Sequence, residues 1–90
     1  MDRTVIVGSR VGLHSRPAKM VAQEAAKLPV VVKIAKDGGT PVDARSLLSI
    51  LSLGAKKGDE VTLTAEGDGA NEAIDALVIL IERDLDEDDV

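Results

Sequence analysis

One stretch of this sequence sets a nucleophile in a place suited to an anion: Gly12-Leu13-His14-Ser15-Arg16-Pro17-Ala18, which holds the only histidine of the chain. Proline is tolerated in the first turn of a helix because the N–H it lacks would have no partner there, and Ser15 just ahead of it is a good N-cap. The run therefore reads as a loop entering a helix. His14 then stands at the positive end of that helix, where free backbone N–H groups, the helix dipole and the Arg16 guanidinium can together hold a phosphoryl dianion against the imidazole. The same neighbours disfavour imidazolium, which leaves the ring neutral and nucleophilic. A lone histidine can equally be a surface residue or a satisfied core residue, so its surroundings must carry the functional reading.

Other chemistries fit poorly. With no second histidine and no cysteine, a metal site lacks ligands, and a Ser-His-Asp hydrolase lacks a positioned nucleophile. Ser15 is better explained as a cap than as that nucleophile. Gly67-Asp68-Gly69 is too short for a dinucleotide fingerprint, and Gly54-Ala55-Lys56-Lys57-Gly58 lacks the Walker spacing, so both read as turns.

The elements that must position His14 follow from hydrophobic period and breakers. Thr4-Val5-Ile6-Val7 is a β-branched strand ended by Gly8. Ala18, Val21, Ala22, Ala25 and Leu28 follow helical spacing up to Pro29. Val30 to Lys36 reads as a strand, Asp37-Gly38-Gly39 as a tight turn, and Thr40 to Asp43 as a short returning strand that Pro41 marks as an edge. Ser46 to Leu53 forms a short helix stopped by Gly54. Val61, Leu63 and Ala65 alternate with Thr62, Thr64 and Glu66 as in a half-exposed strand, and a last helix places Ala70, Ala73, Ile74, Leu77, Val78 and Ile81 on one face. The order β-α-β-β-α-β-α predicts an α+β fold: an open-faced two-layer sandwich with a four-stranded antiparallel sheet and three helices on one face.

Ninety residues, 44% of them hydrophobic, suffice for one domain. We expect that domain over residues 1–85, with 86–90 as an acidic tail. No signal-peptide pattern and no run of about 20 apolar residues occurs, so the expected compartment is the cytoplasm, with no membrane insertion. The net charge of −5 is divided unevenly: residues 1–58 hold ten of eleven basic residues and four of sixteen acidic ones, for a net +6, and the remainder carries −11. A basic front half suits an anionic substrate or acidic partners. Nucleic acid is not an expected partner, because the balance is acidic and no aromatic residue exists to stack on bases.

The motifs and their order resemble the HPr family, the histidine-containing phosphocarriers of the bacterial phosphoenolpyruvate-dependent sugar phosphotransferase system. Gly12-Leu13-His14-Ser15-Arg16-Pro17-Ala18 is similar to the family's phosphohistidine motif. Arg45-Ser46-Leu47-Leu48-Ser49-Ile50-Leu51-Ser52-Leu53-Gly54 is similar to its regulatory-serine helix, and the likeness runs over roughly residues 3–83. The resemblance implies that His14 accepts a phosphoryl group at Nδ1 from phosphorylated enzyme I and passes it to a histidine of enzyme IIA domains. Arg16 would pair with the phosphoryl oxygens, and Pro17 and Ala18 would form the helix start that supplies backbone donors. Such a protein is a carrier acting as a monomer rather than a stand-alone enzyme, and it needs no cofactor and no metal. Ser15 departs mildly from the alanine or threonine common at its position.

By the same resemblance, the first and second helices form the docking surface for enzyme I and enzyme IIA, with Leu47, Leu48 and Leu51 at its centre and Arg16, Lys19, Arg45 and Arg10 at its rim. The alternative is that these leucines are core. Ser46 matches the serine that an HPr kinase/phosphorylase modifies in some bacterial lineages; a plain N-cap explains it too. Two further readings stay open. One is an HPr-like regulatory protein that binds a transcription factor or enzyme, and the other is a nitrogen-related phosphotransferase branch.

Overall fold

The structure, a computed structural model, describes residues 1–8, 12–13, 15–36 and 38–83, with Ser15 described for its backbone alone. Seven elements follow one another: β1 (Asp2–Ile6), α1 (Ser15–Ala26), β2 (Lys33–Lys36), β3 (Val42–Asp43), α2 (Leu47–Ser52), β4 (Glu60–Thr64) and α3 (Ala70–Glu82). The strands form one sheet in the order β1-β4-β2-β3, and every neighbouring pair is antiparallel. The fold is thus the expected four-stranded open-faced sandwich with three helices.

Strand alternation decides which face is covered. Val5, Val61, Leu63 and Ile34 point into the core, where Ala18, Val21, Ala22 and Ala25 of α1 meet Ala70, Ala73, Ile74, Leu77 and Ile81 of α3. On the opposite face the Thr4 and Thr62 hydroxyls bond each other at 3.1 Å across β1 and β4. With no aromatic residue, the core closes by aliphatic packing with small alanines at the helix crossings. Arg3 of β1 pairs with Asp75 of α3 and ties the sheet edge to the helix above it.

Several boundaries move from the sequence expectation, each for a local reason. β2 starts at Lys33 rather than Val30 because Lys33 already pairs with Thr64 and Asp43, the last residues of β4 and β3, so its partners run out there. β3 shrinks to two residues behind Pro41 and lies at the sheet edge. α1 opens earlier, at Ser15, and stops at Ala26: Lys27 and Leu28 donate to the carbonyls of Glu24 and Ala25 three residues back, tightening the end before Pro29. Val78 is half-buried beside the fully buried Leu77.

Candidate functional site

The described residues of the motif lie between β1 and α1 and touch the connection between α2 and β4. His14 and Arg10 lie outside the described residues, as do residues 84–90 with the acidic tail, so the site is built from what flanks His14. α1 begins at Ser15, which makes Ser15 the first helical residue rather than the cap ahead of it. Pro17 is then the third residue of α1, still within the first turn, where no intrahelical acceptor awaits its missing N–H. Pro17 and Ala18 are buried and anchor the turn to the core; Arg16 is half-buried and Lys19 is exposed.

Gly12 and Leu13, on the other side of His14, are buried as well. The Leu13 N–H donates to the Ala55 carbonyl at 2.9 Å, which joins this loop to the connection between α2 and β4. That connection is held in turn by Lys36, whose Nζ donates to the Gly54 carbonyl at 3.3 Å and faces Asp59 at 3.4 Å. The Lys56 N–H donates to Asp59 at 2.9 Å, and this bond, with the Lys36 charge, holds the Asp59 carboxyl below its ordinary range.

α2 starts in a turn built by Asp43. Its carboxylate accepts the Arg45 N–H at 2.9 Å and the Arg45 guanidinium at 2.7 Å, while the Ser46 N–H donates to the Asp43 carbonyl at 3.1 Å. The Arg45 contacts hold the Asp43 carboxyl below its usual value and raise Arg45. Ser46 is the N-cap of α2, and its hydroxyl accepts the Ser49 N–H at 3.2 Å. The helix ends with Gly54 in the left-handed region at φ 65°.

Ile50 alone of α2 is buried; Leu47, Leu48 and Leu51 are 38%, 78% and 37% exposed. Three apolar side chains are thus exposed on one short helix, two positions after the exposed Arg45 at the nearest; Lys19 of α1 is exposed as well. A cavity of about 490 Å³, lined by Val30, Val31, Lys33, Thr64, Ala65 and Glu66, lies at the far ends of β2 and β4, away from the motif. Among the contacts that escape the sequence reading are the Asp43–Arg45 pair, which needs the turn to be seen, and the approach of Gly12 to Ala55, whose one sequence signal is a glycine inside the motif.

Fold and motif together define the class, a small α+β phosphocarrier. The family pattern described as "PTS HPr component phosphorylation site" matches residues 1–83. The chain is 42% identical to the phosphocarrier protein HPr of Streptomyces coelicolor over 86 residues, covering 96% of this chain and 92% of that protein. It is 36% identical to the HPr-like protein Crh of Halalkalibacterium halodurans, covering 93% and 99%. Among solved structures, HPr of Thermoanaerobacter tengcongensis superposes with a TM-score of 0.83 at 43% identity, covering 91% of each chain. The chain belongs to the HPr family of phosphotransferase-system phosphocarriers. Among the described residues, no helix is long and apolar enough to cross a membrane.

Proposed function

We propose that His14 accepts a phosphoryl group from phosphorylated enzyme I and hands it to a histidine of enzyme IIA domains in sugar uptake. A phosphorus–nitrogen bond forms at the His14 ring as the bond to the donor breaks. Arg16 pairs with the phosphoryl oxygens, and the first turn of α1, opened by Pro17 and Ala18, supplies dipole and donors. Leu47, Leu48 and Leu51 are the centre of the docking face, with Lys19, Arg45 and Arg10 at its rim. The observation that carries the reading is the phosphorylation-site family match across residues 1–83, a span that includes the whole motif.

The protein acts as a cytoplasmic monomer with one domain over residues 1–85 and an acidic tail over 86–90, and an HPr kinase/phosphorylase modifies Ser46. A phosphate on Ser46 adds nearly two negative charges at the start of α2 and repels acidic partner surfaces. The Crh-like relatives favour a second reading, in which the exposed leucines bind a regulatory partner. Incubation with phosphoenolpyruvate and enzyme I separates the two. Acid-labile, base-stable phosphate on the wild type and none on His14→Ala is the expected result, and no incorporation with a competent enzyme I overturns the carrier.

A further inference from the structure

We propose that Gly12 is a positioning residue for phosphoryl transfer, because it alone lets the backbone leading to His14 lie directly on the connection that follows α2. The inference rests on His14 being the phosphoryl acceptor. Gly12 is buried with φ 79°, in the left-handed region, and a Cβ on it would lie 2.3 Å from the Ala55 carbonyl oxygen and 2.8 Å from the Lys56 Cα. Both are backbone atoms, so no side-chain rotation relieves the clash. Any other residue must push the loop away from Ala55 or distort it, besides adopting a φ that L-residues disfavour.

The neighbouring residue turns this approach into a lock. The Leu13 N–H donates to the same Ala55 carbonyl at 2.9 Å, and the Leu13 side chain is buried. A displaced Gly12 therefore also strains or breaks that bond. Ala55 in turn follows Gly54, the glycine just beyond the C-cap of α2, whose carbonyl receives Lys36 at 3.3 Å. The residue two before His14 is thus referenced to the residue two after the C-cap of α2. A partner seated on Leu47, Leu48 and Leu51 meets an acceptor whose incoming backbone is fixed to the same helix. Such a lock acts on transfer within the docked complex rather than on docking, since in-line displacement tolerates misplacement poorly.

The test compares four proteins in enzyme I-dependent phosphorylation from phosphoenolpyruvate: wild type, Gly12→Ala, Leu48→Asp and Gly38→Ala. Gly38 has a similar φ of 72° but nothing within 4 Å of an added Cβ, so Gly38→Ala reproduces the backbone penalty without displacing the loop. Gly12→Ala is expected to lower kcat by about tenfold or more with KM held within about twofold; Leu48→Asp should raise KM instead, and Gly38→Ala should change neither. The spontaneous hydrolysis rate of the phosphorylated protein and its pH profile should shift for Gly12→Ala and not for Gly38→Ala. Equal kcat values for Gly12→Ala and Gly38→Ala, or a Gly12→Ala defect confined to KM, overturn the proposal. If Gly12→Ala does not fold, the wild-type Leu13 amide decides: slow hydrogen exchange there supports the lock, and exchange at the rate of a free amide overturns it. Absence of phosphate from the wild type instead removes the reading of His14, and this inference with it.

Discussion

Leu77 and Leu48 offer the same chemical deletion in opposite settings. Leu77 lies at the centre of α3 with no exposed surface, packed among Val21, Ile34, Leu63 and the rest of the core cluster, whereas Leu48 is 78% exposed on α2. Truncating a fully buried leucine removes its transfer energy and leaves a cavity, so Leu77→Ala costs about 3 kcal/mol. A chain of this length has roughly 5–13 kcal/mol in total, so about a quarter to a half or more of the stability is lost. At ~4–8 °C per kcal/mol the melting temperature falls by about 12–24 °C. Leu48→Ala stays within about 0.5 kcal/mol of the wild type, because its side chain gives up little on unfolding and alanine is the better helix former. With no aromatic residue for fluorescence, far-UV circular dichroism during urea and thermal unfolding is the measurement. The functional readout should run the other way: Leu48→Ala raises KM for enzyme I, and Leu77→Ala, kept well below its melting temperature, is phosphorylated normally. A loss below about 0.5 kcal/mol for Leu77→Ala would show that the inward face of α3 is misassigned. A loss above about 1.5 kcal/mol for Leu48→Ala would show that the leucine is packed in solution and refute the docking argument.

Ser46→Asp is expected to slow phosphorylation of His14 by placing negative charge at the start of α2, and an unchanged rate in the enzyme I assay counts against charge-based regulation. Ser46→Ala removes the acceptor for the Ser49 N–H and should cost about 1 kcal/mol in urea unfolding whatever its effect on transfer. Gly8→Ala should destabilise by at least about 1–3 kcal/mol, because its Cβ would lie 1.8 Å from the Glu82 carbonyl oxygen where the chain leaving β1 crosses the end of α3; wild-type stability would refute that crossing. Acid should weaken the fold through Asp43 and Asp59, whose folded-state values are depressed by Arg45 and by the Lys56 N–H. Depressed carboxyls contribute stability that is complete above their unfolded value of about 3.9 and is lost as pH falls through the lower folded value. Asp43→Asn should therefore flatten stability against pH below about pH 4, and an unaltered slope would exclude its part in the acid response.

Much of this architecture is readable from period and punctuation. The inward faces of α1 and α3 follow from alanine, valine, leucine and isoleucine at helical spacing, and Pro29, Gly54 and the Gly67–Gly69 turn bracket the elements in the structure as in the sequence. What period cannot supply is partnership. Val30, Val31 and Val32 have higher strand propensity than Lys33–Lys36, yet they fall outside β2 because β4 and β3 end beside Lys33, leaving only the Val32 carbonyl to accept the Ala44 N–H at 2.9 Å, a fact held by residues some ten and thirty positions away. The strand order β1-β4-β2-β3 is of the same kind. Gly8 shows the limit in one residue: it reads as a strand terminator, while its lack of a side chain is required by Glu82, more than seventy residues later, and not by its own φ.

The site divides along the same line. Residue types carry the proposed chemistry, since a histidine, an arginine and a proline in four consecutive positions are read as an anion site at a helix entrance without any tertiary information. Its placement is nonlocal. Arg45 is a cation near a leucine helix in the sequence, but in the fold its guanidinium and its backbone N–H both engage Asp43, so it shapes the turn that launches α2 as well as the margin of the exposed leucines. Asp43→Ala should on this argument act twice, loosening the start of α2 while freeing the Arg45 charge just ahead of the leucine helix. The two effects oppose each other in partner affinity and separate in salt: the freed charge strengthens docking most at low ionic strength, and the loosened helix weakens it at every ionic strength. On the proposed docking face, the charge that Arg45 offers a partner is thus set by its pair with Asp43, so docking strength would follow from the turn beneath α2 as well as from the leucines on top of it.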